Sequence, residues 1–121
     1  MNLISRRFID KIKEKGAKNA HVLTGDFMHV NEKIAVKVNP PKKMVTLNDV
    51  TFFNEEFGGD YECRFVISNC GVVNTALKYM IENNIDYVHF TKDGRFVPID
   101  LKNKSFLYTR TEDDKYKRII F

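Results

Sequence analysis

Basic side chains are concentrated in the first twenty residues of this 121-residue chain. That segment carries six lysines and arginines against two acids, a balance of +4, whereas the other 101 residues carry fourteen of each sign. Clustered ammonium and guanidinium groups bind anionic partners, such as nucleic-acid phosphates or acidic protein surfaces. The candidate contacts are Arg6, Arg7, Lys11, Lys15 and Lys18.

A second basic group lies near the C-terminus, where cations alternate with aromatic residues. The candidate contacts there are Arg110, Lys115, Lys117 and Arg118. Phe106 and Tyr108 share one face if residues 105–110 form a strand, and an exposed face of this kind stacks bases and holds phosphates. The alternative is that both rings belong to the core. In that case nucleic-acid binding rests on phosphate contacts alone.

Three aspartates and a lysine recur in the last third of the chain, at Asp86, Asp93, Asp100 and Lys102. Alternate residues of a strand lie on one face, so Asp100 and Lys102 project together if they continue a strand. This pattern resembles the acid-plus-acid-x-lysine core of the PD-(D/E)XK nucleases over about 17 residues. The resemblance implies carboxylates on adjacent strands that hold a divalent metal such as Mg²⁺, and a lysine that orients the attacking water. Asp93 also fits the turn of an Asp93-Gly94 hairpin.

Other patterns indicate no further catalytic or metal site. Residues 44–63 contain five acids and no base, but their spacing matches no EF-hand loop. We therefore expect a solvated loop, or an acidic face that covers the basic N-terminal helix or meets a basic partner. The three histidines and two cysteines lack the short paired spacing of a zinc site. The sequence predicts no cofactor, and Mg²⁺ only under the nuclease alternative.

Hydrophobic periodicity predicts two helices. Ile4, Phe8 and Ile12 repeat every four residues within 2–16, and residues 73–81 carry the best helical pattern in the chain. A period of two predicts strands over 20–24, 27–30, 34–38, 44–47, 50–53 and 61–67. The last third is predicted to form a four-stranded meander over 87–90, 95–101, 105–110 and 116–121. Pro98 should then lie at a sheet edge or a bulge.

These elements predict a single α+β domain over residues 1–121, with two helices packed on an antiparallel sheet. The chain is 43% hydrophobic and contains ten Phe residues, which is typical of a folded domain. It has no apolar run of about 18–20 residues for a membrane span and no apolar leader. We therefore expect a cytoplasmic protein without a membrane partner.

The sequence favours a small non-catalytic binding protein whose partner is a protein or a nucleic acid. Its composition is common among accessory proteins of phages and mobile elements, which suggests a viral protein that acts on a host protein or nucleic acid. One alternative is the metal-dependent nuclease. Another is a structural subunit of a larger assembly, since the apolar C-terminus at 119–121 could pair with another chain, and a homo-oligomer is compatible with this.

Overall fold

A computed structural model describes residues 2–14, 16, 20–24, 26–30, 33–59 and 61–102. This part of the chain forms three helices and six strands. The elements in chain order are α1 (Leu3–Glu14), β1 (Ala20–Thr24), β2 (Phe27–Val30), β3 (Ile34–Val38), α2 (Leu47–Phe57), β4 (Cys63–Ser68), α3 (Asn74–Glu82), β5 (Asp86–Phe90) and β6 (Phe96–Ile99). The architecture is α+β, as the sequence predicts.

The strands lie in one mixed sheet in the order β1-β2-β3-β4-β5-β6. Strands β1 to β3 form an antiparallel meander, β3, β4 and β5 are parallel, and β6 returns antiparallel to β5. The prediction of a fully antiparallel sheet is therefore wrong. The reason is connectivity, because α2 joins β3 to β4 and α3 joins β4 to β5, and a helical crossover returns the chain parallel to its start.

Helix α2 replaces the strands predicted over 44–47 and 50–53 and much of the predicted acidic loop. Thr46 caps it, since its hydroxyl accepts a bond from the Asp49 amide (3.3 Å) and the Asp49 carboxylate accepts one from the Thr46 amide (2.8 Å). This reciprocal pair satisfies two backbone donors at the helix start. Val50 and Phe53, three residues apart, are fully buried. Val45 keeps only a single parallel bridge, to Val72.

The sheet separates two hydrophobic clusters. Along β3, Ala35 packs with α2 and α3, whereas Val36 and Val38 pack on the opposite face with Ile4 and Phe8 of α1. This division follows from strand geometry, because successive side chains point to opposite faces. Helices α2 and α3 therefore share one face of the sheet, and α1 covers the other.

Arg64 on β4 joins the two crossover helices. Its guanidinium donates to the carbonyl of Gly58, the residue that ends α2, and to the carbonyl of Asn83 (2.6 Å), the residue that ends α3. A cation at these positions also favours the negative end of each helix dipole. One side chain thus fixes both helices against the sheet.

The predicted C-terminal meander is described only in its first half. Its first two strands correspond to β5 and β6, and Pro98 lies on β6, the outermost strand on that side of the described sheet. The strands predicted over 105–110 and 116–121 fall outside the described residues. No helix in the described part of the chain has the length and apolar character that a bilayer crossing requires.

Candidate functional site

The exposed side of α1 carries the N-terminal basic residues. Ile4 and Phe8 turn toward the sheet and are 1% and 7% exposed, while Arg6, Arg7 and Lys11 are exposed. Arg7 and Lys11 are four residues apart and therefore lie on one side of the helix. Lys15 and Lys18, which the sequence adds to this stripe, lie outside the residues whose side chains are described.

The acidic helix α2 does not cover these cations. Exposed Glu55 and Glu56 belong to α2, which packs on the sheet face opposite α1. Among the described residues the only ion pair joins Arg95 and Asp93, at 3.0 Å. The sequence left open whether residues 49–62 fold over the basic helix, and the structure separates the two by the full thickness of the sheet.

The turn between β5 and β6 lies beside α1 and adds two cations that the sequence analysis did not select. Lys92 and Arg95 are both exposed. Gly94 has a φ of +84°, and a Cβ at this residue would lie 3.8 Å from the Nη1 atom of Arg7. A glycine here adopts the left-handed conformation without strain, and the distance shows that the turn and Arg7 of α1 are neighbours.

Three of the four proposed nuclease residues line one cavity, and the fourth, Asp93, lies apart from them. Asp86 and Asp100 flank the paired residues Tyr87 and Ile99 on adjacent strands, and with Lys102 they line a cavity whose walls include Met80 and Ile81. Asp93 instead lies in the turn at the other end of β5, where it bonds Thr91 and Arg95. The hairpin signal Asp93-Gly94 therefore accounts for this aspartate, and the four-residue arrangement is not formed.

Lys37 on β3 is a feature that the sequence analysis missed. Although charged, it is only 4% exposed. Its ammonium donates to the side-chain oxygen of Asn39 (2.9 Å) and lies 5.5 Å from the centre of the Phe27 ring. Burial lowers the pKa of Lys37, and the nearby carboxylates of Asp49 and Asp26 oppose that shift. A lysine beside carboxylates from neighbouring elements is the combination of residue types that the nuclease resemblance requires, at a different place in the chain.

Lys37 nevertheless lacks a carboxylate on its own strand. The residues two positions before and after it, which share its face, are Ala35 and Asn39. The described residues contain no group of three or more histidine, cysteine, aspartate or glutamate side chains placed to hold a metal ion. This arrangement gives an internal cation with a polar partner.

A second buried polar group lies where the parallel strands end. His89 is paired with Ser68 across β4 and β5 and is fully buried. Its Nδ1 atom is 2.8 Å from the hydroxyl of Tyr87, and its Nε2 atom has no hydrogen-bond partner among the described residues. Burial lowers the pKa of His89 from 6.5 to about 4. The imidazole is therefore neutral near pH 7.

Arg110, Lys115, Lys117 and Arg118 lie outside the described residues, as do the aromatic side chains that alternate with them. The surface that the structure does define consists of Arg6, Arg7 and Lys11 on α1 together with Lys92 and Arg95 beside it, and we refer to these five residues as the basic surface.

The described residues form an α+β protein with a basic surface on the face of the sheet that α1 covers. No protein-family model, curated protein or solved structure matches the chain. Its function must therefore be argued from its own geometry.

Proposed function

We propose that this protein is a non-catalytic binding protein whose helix α1 contacts the phosphates of a nucleic acid. The observation that carries the proposal is the position of α1, whose basic residues are exposed on the sheet face opposite α2. The acids of α2 lie beyond the sheet, and α1 itself carries four cations against two acids, Asp10 and Glu14, so the helix keeps a net positive charge. Such a protein would meet its nucleic-acid partner in the cytoplasm, for example that of a phage-infected cell.

The surroundings of α1 favour a duplex over a single strand. Binding of single strands depends on exposed rings that stack on bases. On this side of the described structure the aromatic rings pack on one another instead. Phe8 contacts Phe65 and Phe96 at centroid distances of 5.7 and 5.4 Å, and Phe90 contacts Phe96 at 4.8 Å. We therefore expect contacts to the phosphate backbone, with little dependence on base sequence.

The test is binding to a fluorescent duplex of about 20 base pairs and to its single strand, across 50–200 mM salt with EDTA present. We expect affinity for the duplex to fall steeply with salt, because each phosphate contact releases counterions. The triple variant R6Q/R7Q/K11Q should lower the magnitude of the logarithmic salt slope by about 3, since each lost contact contributes about 0.9.

The matched control is the triple variant K42Q/K43Q/K78Q, which removes the same charge from exposed lysines outside the basic surface. It should leave the salt slope nearly unchanged. Equal weakening by both triple variants would contradict a localised site. Absence of duplex binding by the wild type at the lowest salt would refute the proposal and favour a protein partner or a structural subunit.

A metal-dependent nuclease is the second candidate, and one observation favours it, namely that Asp86, Asp100 and Lys102 line one cavity. Incubation of plasmid and linear DNA with Mg²⁺ or Mn²⁺ tests this candidate. Under the binding function no cleavage occurs. If cleavage occurs, D100N should abolish it, whereas D26N, which lies outside this cavity, should not.

A further inference from the structure

The turn that joins β5 to β6 is held together by hydrogen bonds of its own backbone and of the Thr91 side chain. The Thr91 amide donates to the Arg95 carbonyl (2.9 Å), the Gly94 amide donates to the Thr91 carbonyl (3.1 Å), and the Arg95 amide donates to the Thr91 hydroxyl (2.9 Å). These bonds fix the backbone that carries Lys92 and Arg95. A cation on a fixed backbone loses less conformational entropy when it binds a phosphate than one on a flexible loop.

The same turn is continuous with α1. The closeness of Gly94 to the guanidinium of Arg7 places the two elements in contact. The exposed cations of the turn and those of the helix thus belong to one stretch of surface, formed by residues almost ninety positions apart in the chain.

Asp93 places a negative charge within this surface. Its carboxylate accepts bonds from the Thr91 hydroxyl and from the Nε atom of Arg95 (3.0 Å). These partners hold the pKa of Asp93 below its ordinary value, the Thr91 hydroxyl foremost. The carboxylate is therefore ionised at any pH near neutrality. It accepts a hydrogen bond from the Arg95 guanidinium that a bound phosphate could otherwise accept.

We infer that the β5–β6 turn is a second phosphate contact, in which Lys92 and Arg95 extend the surface of α1 and Asp93 restrains Arg95. This inference rests on the proposed function and assigns to it residues outside α1. It gives Asp93 a role opposite to catalysis, because its carboxylate competes with the bound phosphate. The partner is a duplex long enough to contact the helix and the turn together.

The test uses the same fluorescent duplex with the full chain and single variants. R95Q and K92Q should each weaken binding about five-fold and lower the magnitude of the salt slope by about 1. D93N should tighten binding two- to five-fold, because it releases Arg95 and removes a repelling charge, an effect of about 0.4–1 kcal/mol. D86N is the matched control, since it removes an exposed aspartate at the opposite end of β5.

Each result bears on the inference in one direction. Weaker binding by R95Q, tighter binding by D93N and no change in D86N would support it. Unchanged binding by R95Q and K92Q, while R6Q/R7Q/K11Q loses affinity, would overturn the inference and leave the proposed function standing. Equal tightening by D93N and D86N would also overturn it, because net charge would then explain both. A wild type that binds no duplex refutes the proposed function itself. R95Q and K92Q change exposed side chains, so the test does not depend on the turn tolerating D93N.

Discussion

Acid should destabilise this protein through one side chain, His89. It is fully buried on β5, and burial lowers its pKa from 6.5 to about 4. The unfolded chain therefore takes up a proton on this imidazole at a higher pH than the folded protein does. Stability that depends on neutral His89 is retained above about pH 6.5, declines as the pH falls, and is lost below about pH 4.

The size of the effect follows from the two pKa values. The difference between 6.5 and about 4 corresponds to about 3 kcal/mol, at 1.36 kcal/mol for each pKa unit. Domains of this size unfold with about 5–15 kcal/mol. The protonation of one histidine should therefore remove a substantial part of the free energy of unfolding.

The assay is urea unfolding of the wild type and of H89N at pH 7, 6, 5 and 4, followed by circular dichroism. Asparagine retains a short polar group opposite the Tyr87 hydroxyl and does not titrate in this range. The wild type should lose about 3 kcal/mol more than H89N between pH 7 and pH 4. Carboxylates that titrate in the same range affect both proteins alike, so their contribution cancels in the comparison.

A difference between wild type and H89N that stays constant from pH 7 to pH 4 would refute the reasoning. So would an NMR titration that gives His89 a pKa near 6.5 in the folded protein.

Three further substitutions test the fold by chemical denaturation. K37M should lower the free energy of unfolding by about 1–3 kcal/mol, since it leaves the buried side-chain oxygen of Asn39 without its donor, and an unchanged or higher value would contradict this. T46A should lower the free energy of unfolding by about 1 kcal/mol, because it removes the side-chain cap of α2. An unchanged free energy of unfolding would mean that this cap does not stabilise the fold. R64Q should cost at least about 2 kcal/mol, because two helix-terminal carbonyls lose a charged donor, and a smaller cost would show that water replaces it.

The local part of the fold is predictable from the sequence. Ile4, Phe8 and the pattern over 73–81 identify α1 and α3, and the alternation over 34–38 identifies β3. Helix α2 is harder, because Val50, Thr51 and the adjacent phenylalanines have strand propensity. The signal that could have found it is the capping pair of Thr46 and Asp49, with apolar residues three positions apart.

The candidate site is less predictable because it depends on packing between distant segments. The exposure of α1 is decided by which face of the sheet α2 covers, and the sequence of α1 does not contain that information. The alternating pattern of β3 predicts that Lys37 is exposed. It is buried because α2 packs on the same face of the sheet. The closeness of Arg7 and Gly94 likewise joins two segments that no local pattern connects.

The position of α1 on its own face of the sheet has a consequence for hydrogen exchange. Its buried apolar anchors are chiefly Ile4 and Phe8, and its detachment would also expose Val36 and Val38 on the sheet beneath it. Because α1 is not part of the hydrogen-bonded sheet, we expect it to open as a subglobal unit at a lower free energy than the sheet with α2 and α3. The amides of α1 should exchange faster than those of β4. A bound duplex should slow exchange in α1 more than elsewhere, so the exchange rate of this one helix would report ligand binding.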